Sequence, residues 1–285
     1  MKTKPTIGII GGTGKMGRFL EKFFIEKGFE VSVSSTKTEL TNIELANMCD
    51  VVIVSVPLGS VSNVINEIAP YVKGDALLTD VSAVKEEPVK AMLKSKASVV
   101  GMHLVFGPTV KSVKKQTVVM CPARGEKWFK WLKDLFEGAG AKVQVSTPTE
   151  HDKMMAVIQG LVHFTSIASA CALRDLKIDV VKTFAFASPN YRISTDVIGR
   201  ILAQNPGVYA DISMHNKYIK DVTKRFIICA KELAGTIEEG DKVRFQKTFQ
   251  ESSDYLGDFR DKAMKETSHI IEKIVEEDFK NGSNS

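Results

Sequence analysis

The stretch Ile7-Gly8-Ile9-Ile10-Gly11-Gly12-Thr13-Gly14-Lys15-Met16-Gly17 decides the fold of the first half of the chain. Four mostly apolar residues precede a glycine-rich turn. Apolar residues then recur at helical spacing from Phe19 to Phe24, until Gly28 ends the pattern. The stretch therefore predicts a buried strand, a tight turn and a helix, an arrangement that presents backbone N–H groups and a helix N-terminus to a pyrophosphate.

Three glycines in this turn, Gly12, Gly14 and Gly17, fit the pattern G-x-G-x-x-G. The pattern alone is weak, because a tight structural turn can place glycines at the same spacing. The strand before it and the helix after it favour a dinucleotide site. We expect the cofactor to contact the whole turn, which consists of Gly12, Thr13, Gly14, Lys15, Met16 and Gly17.

Length and charge bound the class of protein. A chain of 285 residues predicts two domains, each with its own core. Lysine and arginine number 39 against 34 acidic residues, which gives a net charge of +5. Because the basic residues are scattered rather than clustered, we expect a small-molecule substrate and no nucleic-acid partner.

The cysteines and the apolar segments predict a cytoplasmic protein. The four cysteines, Cys49, Cys121, Cys171 and Cys229, are far apart and have no C-x-x-C spacing, so neither a metal site nor a disulfide framework is expected. We expect no apolar run to approach the roughly 18 residues of a membrane span. The N-terminal apolar stretch is too short for a secretory signal. No membrane partner is therefore expected.

The end of the second predicted strand, residues 29–34, bears on which cofactor binds. NAD-binding units usually carry an acid here that accepts hydrogen bonds from the ribose 2′-hydroxyl. This chain has Ser34, Ser35, Thr36 and Lys37 instead, three hydroxyls and a cation. The absence of a carboxylate favours NADP, and NAD stays possible because the arginine that commonly binds the 2′-phosphate is missing. The alternative is a solvated polar turn.

Further apolar runs alternate with helical segments over the first half of the chain. The continuous run at residues 51–56 is typical of a central parallel strand, and Pro57 closes it. Val56 and Pro57 are expected to contact the cofactor, and Ser60 to cap the next helix. The alternation predicts an α/β fold with a doubly wound, parallel-type sheet. Its other strands are expected at residues 76–81, 98–102, 117–121 and 142–145.

The second half of the chain has a different pattern. Beyond Ser146-Thr147-Pro148 the chain is helical in pattern, with one helix expected from about Glu150 to beyond Ala170. We therefore expect a dinucleotide-binding domain at residues 1–147 and a helical domain at residues 148–285. Aromatic stripes on its helices favour helix–helix core packing. A helical half of this kind often builds a homodimer.

Binding a dinucleotide implies hydride transfer, which calls for a group that takes a proton. His103 follows the apolar strand at residues 98–102, at the sheet edge where open α/β sheets place ligands. Its imidazole can accept a proton near neutrality, although a structural histidine is the equal alternative. Lys85 also follows a strand, where it can either bind a carboxylate or be solvated.

Other residues in the helical half could bind an anion. Arg192 lies near the start of a predicted helix, where the helix dipole opposes a cation, and a substrate carboxylate would compensate. His151 and His163 are twelve residues apart on one predicted helix. That separation is more than three turns, too far for both to ligate one metal.

Five segments of the chain form a distinctive ordered set, at residues 101–108, 150–152, 158–164, 188–192 and 203–212. They include Gly-Met-His-Leu-Val-Phe-Gly-Pro around His103 and Ser-Pro-Asn-Tyr-Arg ending at Arg192. Together, and in this order, the segments resemble those of the prephenate dehydrogenase family. Five ordered segments are far more specific than any one of them.

The resemblance implies a Rossmann-type domain followed by a helical substrate and dimerisation domain. It also implies oxidative decarboxylation of prephenate to 4-hydroxyphenylpyruvate, on the route to tyrosine. His103 matches the family's proton acceptor, and Arg192 matches the arginine that holds a substrate carboxylate. Lys85 matches the lysine of the family's Ser-Val-Lys segment, and His151 and His163 match histidines near the substrate pocket.

The chain departs from the family pattern at three positions. Leu104 replaces a proline after His103, so we expect the segment that carries His103 to be less fixed. Ala83 stands where the family has a serine that orients the histidine, and that role is carried only as a hypothesis to Ser82. Val162 replaces an arginine. Two alternative functions stay open, an arogenate dehydrogenase and a nucleotide-responsive binding protein that has lost catalysis.

Overall fold

The computed structural model describes residues 4–282, with side chains described for residues 4–276. These residues form two compact units. The first contains the chain up to Gly160 together with Gly207–Ile219, and the second contains Leu161–Pro206 and the chain from Lys220 onward. The division falls later in the chain than the domain boundary expected between residues 147 and 148, which stays a prediction.

Seven strands form one sheet in the first unit: β1 (Ile7–Ile10), β2 (Val31–Ser34), β3 (Val51–Val54), β4 (Leu77–Asp80), β5 (Ser98–Leu104), β6 (Thr117–Arg124) and β7 (Lys142–Val145). Their order is β2-β1-β3-β4-β5-β6-β7, and all neighbours are parallel except β5 and β6. The chain passes from β1 to β2 on one side and then to β3 on the other. The carboxyl ends of β1 and β3 therefore form the crevice at which such sheets bind ligands.

Helices cover both faces of this sheet, which confirms the predicted doubly wound α/β fold. Described helices in chain order are α1 (Lys15–Glu26), α2 (Asn42–Met48), α3 (Leu58–Ile68), α4 (Glu86–Met92), α5 (Glu126–Gly138), α6 (Pro148–Met155), α7 (Val162–Asp175), α8 (Val180–Thr183), α9 (Pro189–Leu202), α10 (Pro206–His215), α11 (Ile219–Glu238), α12 (Lys242–Leu256) and α13 (Phe259–Gly282).

The core lies on the two faces of the sheet, because successive strand residues point to opposite sides. On one face Ile9 of β1 joins a cluster with Phe23 of α1 and Phe136 of α5, whose rings stack with centroids 5.0 Å apart. On the other face Ile10 joins Leu45 of α2 and the buried side of α3. Burial on both faces explains why the central strands are continuous apolar runs.

Two predicted boundaries differ from the structure. β5 extends past Met102 to Leu104, because its last residues pair antiparallel with β6, His103 with Val119. Leu104 is 3% exposed and continues the strand, so the expectation that it loosens the segment carrying His103 was wrong. Helix α3 begins directly after Pro57 rather than at Ser60, since the fixed φ of proline suits a helix start.

A short segment from the second half of the sequence belongs to the first unit. After α10, Asn216 donates a hydrogen bond to the main-chain carbonyl of Asp152 over 2.7 Å. Tyr218 donates to Glu86 Oε1 over 2.8 Å. Ile219 packs so closely on Gly160 that a Cβ there would lie 2.5 Å from it. The prediction of two successive domains did not include a segment of the second half that packs in the first unit.

The long helix at Pro148–Asp175 consists of α6, a π-helical segment at Ala156–Leu161, and α7. Within the described residues, this helix is long and apolar enough to cross a membrane by length and composition. The expectation that no apolar run approaches that length was therefore wrong. Isolated polar residues, including Gln159 and His163, interrupt the run in the sequence, but the segment as a whole stays apolar on average.

Candidate active site

The glycine turn after β1 contains a left-handed residue that the motif did not include. Gly11 has φ +81°, and a Cβ on it would lie 2.3 Å from the carbonyl oxygen of Ser55. The amides of Gly11 and Gly12 donate to the Ser34 carbonyl over 2.8 and 3.2 Å. Only glycine fits this position, because both the backbone angle and the space exclude a side chain.

The motif glycines allow close backbone packing. A Cβ on Gly12 would lie 2.5 Å from Val33 Cβ, and a Cβ on Gly17 would lie 2.4 Å from the Gly11 carbonyl oxygen. Gly14 precedes α1 without a side-chain cap, and the first turn of α1 has no acidic residue. The amides at this helix start are thus available to an anion, so the cradle fits a pyrophosphate.

The remaining residues of the turn have distinct positions. Lys15 is exposed at the start of α1, where a cation is unfavourable unless an anion lies nearby. The Thr13 carbonyl accepts a hydrogen bond from Arg18 Nε over 3.0 Å. Met16 is half-buried against the core. Val56 and Pro57 follow β3 beside this turn, Val56 half-buried and Pro57 exposed.

The polar turn after β2 is only partly available to a cofactor. Ser34 is fully buried, and its hydroxyl donates to Asn42 Oδ1 over 2.9 Å. The expectation that Ser34 contacts the cofactor is therefore corrected, because its hydroxyl faces the protein interior. Ser35 is half-buried and accepts from the Lys37 amide, whereas Thr36 and Lys37 are exposed.

A buried ion pair lies at the ends of β4 and β5. Lys85 Nζ donates to Asp80 Oδ2 over 2.5 Å and to the Met102 carbonyl over 2.8 Å, and both charged side chains are fully buried. The alternative of a solvated lysine was thus wrong. The carboxylate that Lys85 binds belongs to the chain itself, so the contacts of this lysine do not support the predicted substrate-binding role.

Ser82 belongs to the same cluster. Its hydroxyl lies 2.5 Å from Asp80 Oδ2 and 2.9 Å from the Val84 carbonyl, and its amide donates to Asp80 over 3.0 Å. These contacts assign Ser82 to the environment of Asp80. The described contacts of Ser82 do not include the histidine that the hypothesis expected it to orient.

His103 instead contacts another histidine. His103 Nδ1 lies 2.9 Å from His151 Nε2, and His151 Nδ1 lies 2.8 Å from Asp152 Oδ1. All three side chains are buried. The structure thus brings together two of the predicted site residues, which are separated by 48 positions in the chain. They form a continuous line of hydrogen bonds that ends on a carboxylate.

The Asp152 carboxylate also holds the start of α4. Its two oxygens accept from the Lys85 amide over 2.7 Å and from the Glu86 amide over 2.9 Å. A helix start has unpaired N–H groups, and a carboxylate there is favourable both as a hydrogen-bond acceptor and as a charge. Asp152 therefore joins α6 to α4 beside the buried ion pair.

Burial keeps His103 in its neutral form. Loss of solvation lowers the pKa of His103 well below its ordinary value, and positive charge placed on the neighbouring His151 or on Lys85 lowers it further. A neutral imidazole has one unprotonated ring nitrogen and can accept a proton at neutral pH. The Cys121 thiol on β6 is inert there, since burial raises its pKa to about 12.

The second unit contains Arg192 and His163. Arg192, half-buried on α9, lines a cavity of about 410 Å³ together with Ser188 and Asp196. Two residues of α13, Ile274 and Val275, complete the apolar part of its wall. Burial lowers the pKa of the His163 imidazole on α7. An arginine in a cavity of this size can bind a carboxylate in a two-pronged geometry.

Two family models match most of the chain. One is described as prephenate dehydrogenase, nucleotide-binding domain, and matches residues 16–145. The other is described as prephenate dehydrogenase, dimerization domain, and matches residues 147–251. The chain belongs to the prephenate dehydrogenase family. This membership confirms the resemblance found in the sequence and makes the chain an oxidoreductase.

Individual relatives and solved structures agree with the family assignment. The chain is 36% identical to a probable arogenate/prephenate dehydrogenase of Methanocaldococcus jannaschii, over 95% of this chain and 67% of that protein. It is 32% identical to the T-protein of Haemophilus influenzae, over 94% of this chain and 71% of that protein.

Among solved structures, a prephenate dehydrogenase from A. aeolicus in complex with hydroxyphenyl propionate and NAD+ gives a TM-score of 0.70 at 20% identity, over 88% of this chain and 96% of that one. A Synechocystis arogenate dehydrogenase gives 0.69 at 18% identity, over 90% and 99%. At these identities the likeness confirms the fold of this prephenate dehydrogenase family member.

Sequence reasoning missed several residues of the site. Gly11 was overlooked because the motif begins at Gly12. Asp80 could have been found from the sequence, because an acidic residue at the end of a buried strand requires a cation nearby. Asp152 lies directly after His151 in the sequence, but its link to the start of α4 depends on contacts 66 and 67 positions apart.

The buried ion pair generates a prediction about stability. Replacing Lys85 by Met should lower the free energy of unfolding of the first unit by about 3–5 kcal/mol, because the Asp80 carboxylate stays buried without its cation. Urea denaturation followed by tryptophan fluorescence measures this loss. Both tryptophans of the chain, Trp128 and Trp131, lie in α5 and report on the first unit.

The matched control is Lys133→Met, which removes a solvent-accessible ion pair with Glu137 on α5. It should cost less than about 0.5 kcal/mol, because exposed pairs one helical turn apart contribute little. A Lys85→Met protein as stable as this control would contradict a buried, compensated pair.

Proposed function

We propose that the chain oxidises and decarboxylates prephenate to 4-hydroxyphenylpyruvate, in tyrosine biosynthesis, and transfers the hydride to NADP+ or NAD+. The observation that carries the proposal is the buried, neutral His103 at the carboxyl end of β5, in the same unit as the glycine cradle. Membership in the family and the names of the relatives support this substrate class.

His103 is the proposed proton acceptor. A bound nicotinamide cofactor supplies the hydride acceptor. When His103 takes the proton of the 4-hydroxyl, C4 becomes a better hydride donor. Once the hydride has left C4, the bond between C1 and its carboxylate breaks and CO₂ leaves. The electron pair of that bond makes the ring aromatic, which drives the reaction, and the oxygen at C4 takes back the proton to give the phenol. The protein contributes alignment and a base, and the base alone is typically worth on the order of 10²–10⁴-fold.

Arg192 is the proposed contact for a substrate carboxylate. Its guanidinium is always charged and suits a planar, two-pronged partner. Its position in a cavity in the second unit supports this role, and so does its match to the family's arginine. His163 is proposed to lie near the substrate as a neutral imidazole. For His151, whose Nε2 lies against His103, we propose a role in supporting that histidine.

A second candidate substrate is arogenate, in which an amine replaces the keto group of the prephenate side chain. The M. jannaschii relative is named as an arogenate/prephenate dehydrogenase, and the Synechocystis structure is named as an arogenate dehydrogenase. Comparing kcat/KM for the two substrates under the same conditions decides between them. The prephenate proposal requires the larger value for prephenate.

We further propose that the functional form is a homodimer. Large apolar side chains are exposed on the helices of the second unit, and a second copy of the chain could cover them. The matching family model is described as a dimerization domain. The exposed apolar side chains of the second unit include Ile237, Val243, Phe249, Tyr255 and Met264.

A cytoplasmic location, without a nucleic-acid or membrane partner, stays a prediction.

Replacing His103 by Asn should test the proton acceptor. We expect kcat with prephenate to fall roughly 10²–10⁴-fold, because the variant lacks the base. The Kd for prephenate should change less than about threefold, because the base acts mainly in the transition state. Stopped-flow formation of reduced cofactor and equilibrium binding measure these quantities. His269→Asn on α13 is the control, and a variant of His103 with unchanged kcat would rule out the assigned base.

Replacing Arg192 by Gln should test the carboxylate contact. We expect KM and Kd for prephenate to rise roughly 10- to 100-fold, because a charge-assisted, two-pronged hydrogen bond is lost. Arg200→Gln is the matched control, since Arg200 is an exposed arginine on the same helix. Steady-state kinetics and isothermal titration calorimetry measure both variants. Equal affinities in the two would place the carboxylate contact elsewhere.

The cofactor proposal favours NADP+ over NAD+. Lys37 is exposed after β2, and no carboxylate occurs among residues 34–37 to repel a 2′-phosphate. Replacing Lys37 by Ala should raise KM for NADP+ by about tenfold and leave KM for NAD+ unchanged, because one charge contact to phosphate is lost. Kinetics with each cofactor, with Lys90→Ala as control, measure this. A wild-type preference for NAD+ would contradict the proposal.

A further inference from the structure

We infer that Asp152 is a positioning residue that fixes the tautomers of both His151 and His103, and so leaves Nε2 of His103 as the atom that takes the substrate proton. The inference rests on the proposed function and deepens it. It assigns a role to a buried carboxylate that lies two hydrogen bonds away from the proposed base.

The argument follows the protons from the carboxylate outward. An ionised carboxylate can only accept hydrogen bonds, so His151 Nδ1 carries the proton on its side of the 2.8 Å contact. The inferred arrangement has a neutral His151 whose one N–H is at Nδ1, so His151 Nε2 is an acceptor. His103 Nδ1, 2.9 Å away, must then donate to it. The unprotonated nitrogen of His103 is therefore Nε2.

The surroundings of Asp152 supply several hydrogen-bond donors to its carboxylate. Besides His151, the carboxylate accepts from the main-chain amides of Lys85 and Glu86. Three N–H donors therefore point at its two oxygens. Both carboxylate oxygens therefore act as acceptors, and the contact with His151 is one of them. The Asp152 main-chain carbonyl is held separately by Asn216, which fixes the end of the line of hydrogen bonds.

Other titratable groups around the two histidines are already paired or inert. The Lys85 cation is compensated by Asp80, to which it donates directly. Cys121 on β6 has a pKa raised to about 12 by burial. The negative charge of Asp152 is thus the charge that stabilises the imidazolium formed when His103 takes a proton. This stabilisation acts through His151, which contacts His103 with one ring nitrogen and Asp152 with the other.

Replacing Asp152 by Asn removes the charge and keeps the shape. An amide can either accept from or donate to His151, so a single tautomer is no longer enforced. We expect kcat with prephenate to fall roughly 10²-fold, with KM changed less than about threefold. The acidic limb of the pH profile of kcat should move to lower pH, because loss of the negative charge of Asp152 favours the neutral form of the His103 imidazole.

Glu86→Gln is the matched control at the same helix start. The Glu86 carboxylate accepts from Thr149 and Tyr218 and pairs with Lys217, but it does not touch either histidine of the line. This variant should lower stability without moving the acidic limb of kcat. If the role of Asp152 is only structural, Asp152→Asn should likewise lower stability and leave the acidic limb of the kcat–pH profile where it is.

A measurement independent of activity completes the test. In wild-type protein labelled with ¹⁵N-histidine, long-range ¹H–¹⁵N spectra should show protonated Nδ1 and unprotonated Nε2 for both rings. The Asn variant should lose this single pattern. A proton on Nε2 of His103 in the wild type would overturn the inference, and so would an Asn variant with an unmoved acidic limb and unchanged tautomers.

The two proposals can fail separately. If the wild-type protein reduces neither cofactor with prephenate or arogenate, the proposed function fails. The histidine spectra still decide the arrangement of protons that Asp152 imposes, because they need no substrate. If the wild type is active and the spectra show the other tautomer, only the inference about Asp152 fails.

Discussion

The buried Lys85 connects the parts of the protein that surround the proposed base. Its ammonium group joins Asp80 at the end of β4 to the Met102 carbonyl, one residue before His103, and its amide binds Asp152 on α6. A buried ammonium group requires both a counter-charge and hydrogen-bond acceptors, so the positions of β4, β5 and α6 are coupled. The geometry of the two histidines depends on that coupling. A lysine that looks like a ligand-binding cation in the sequence is thus part of the framework of the site.

Much of the fold could be predicted because it depends on local patterns. The apolar runs of β1 and β3 are buried on both faces, and only central parallel strands in a layered fold combine those features. The glycine turn could be predicted because its backbone geometry excludes side chains. The antiparallel extension of β5 could not, since its partner lies in β6 and the sequence of β5 carries no signal of strand direction.

The site was harder to predict, because its contacts join distant parts of the chain. The position of His103 at a strand end and the family segments indicated the correct region. The hydrogen bonds of Asp152 could not be read from spacing, since α4 and α6 meet only in the folded protein. For Ser34 the sequence suggested a cofactor contact that the structure does not support. The hydroxyl of Ser34 is buried, whereas Thr36 and Lys37 in the same polar turn are exposed, and nothing in the sequence distinguishes the buried Ser34 hydroxyl from the exposed Thr36 hydroxyl.

The return of Gly207–Ile219 to the first unit makes that unit discontinuous in sequence. Within the described residues the backbone crosses between the units three times, after Gly160, Pro206 and Ile219. A fragment that stops at residue 147 therefore lacks both Asp152 and its anchor Asn216, and it leaves the first turn of α4 uncapped. Neither unit can be excised intact with a single cut, so expressing or shuffling the halves as independent modules would require circular permutation or a grafted loop.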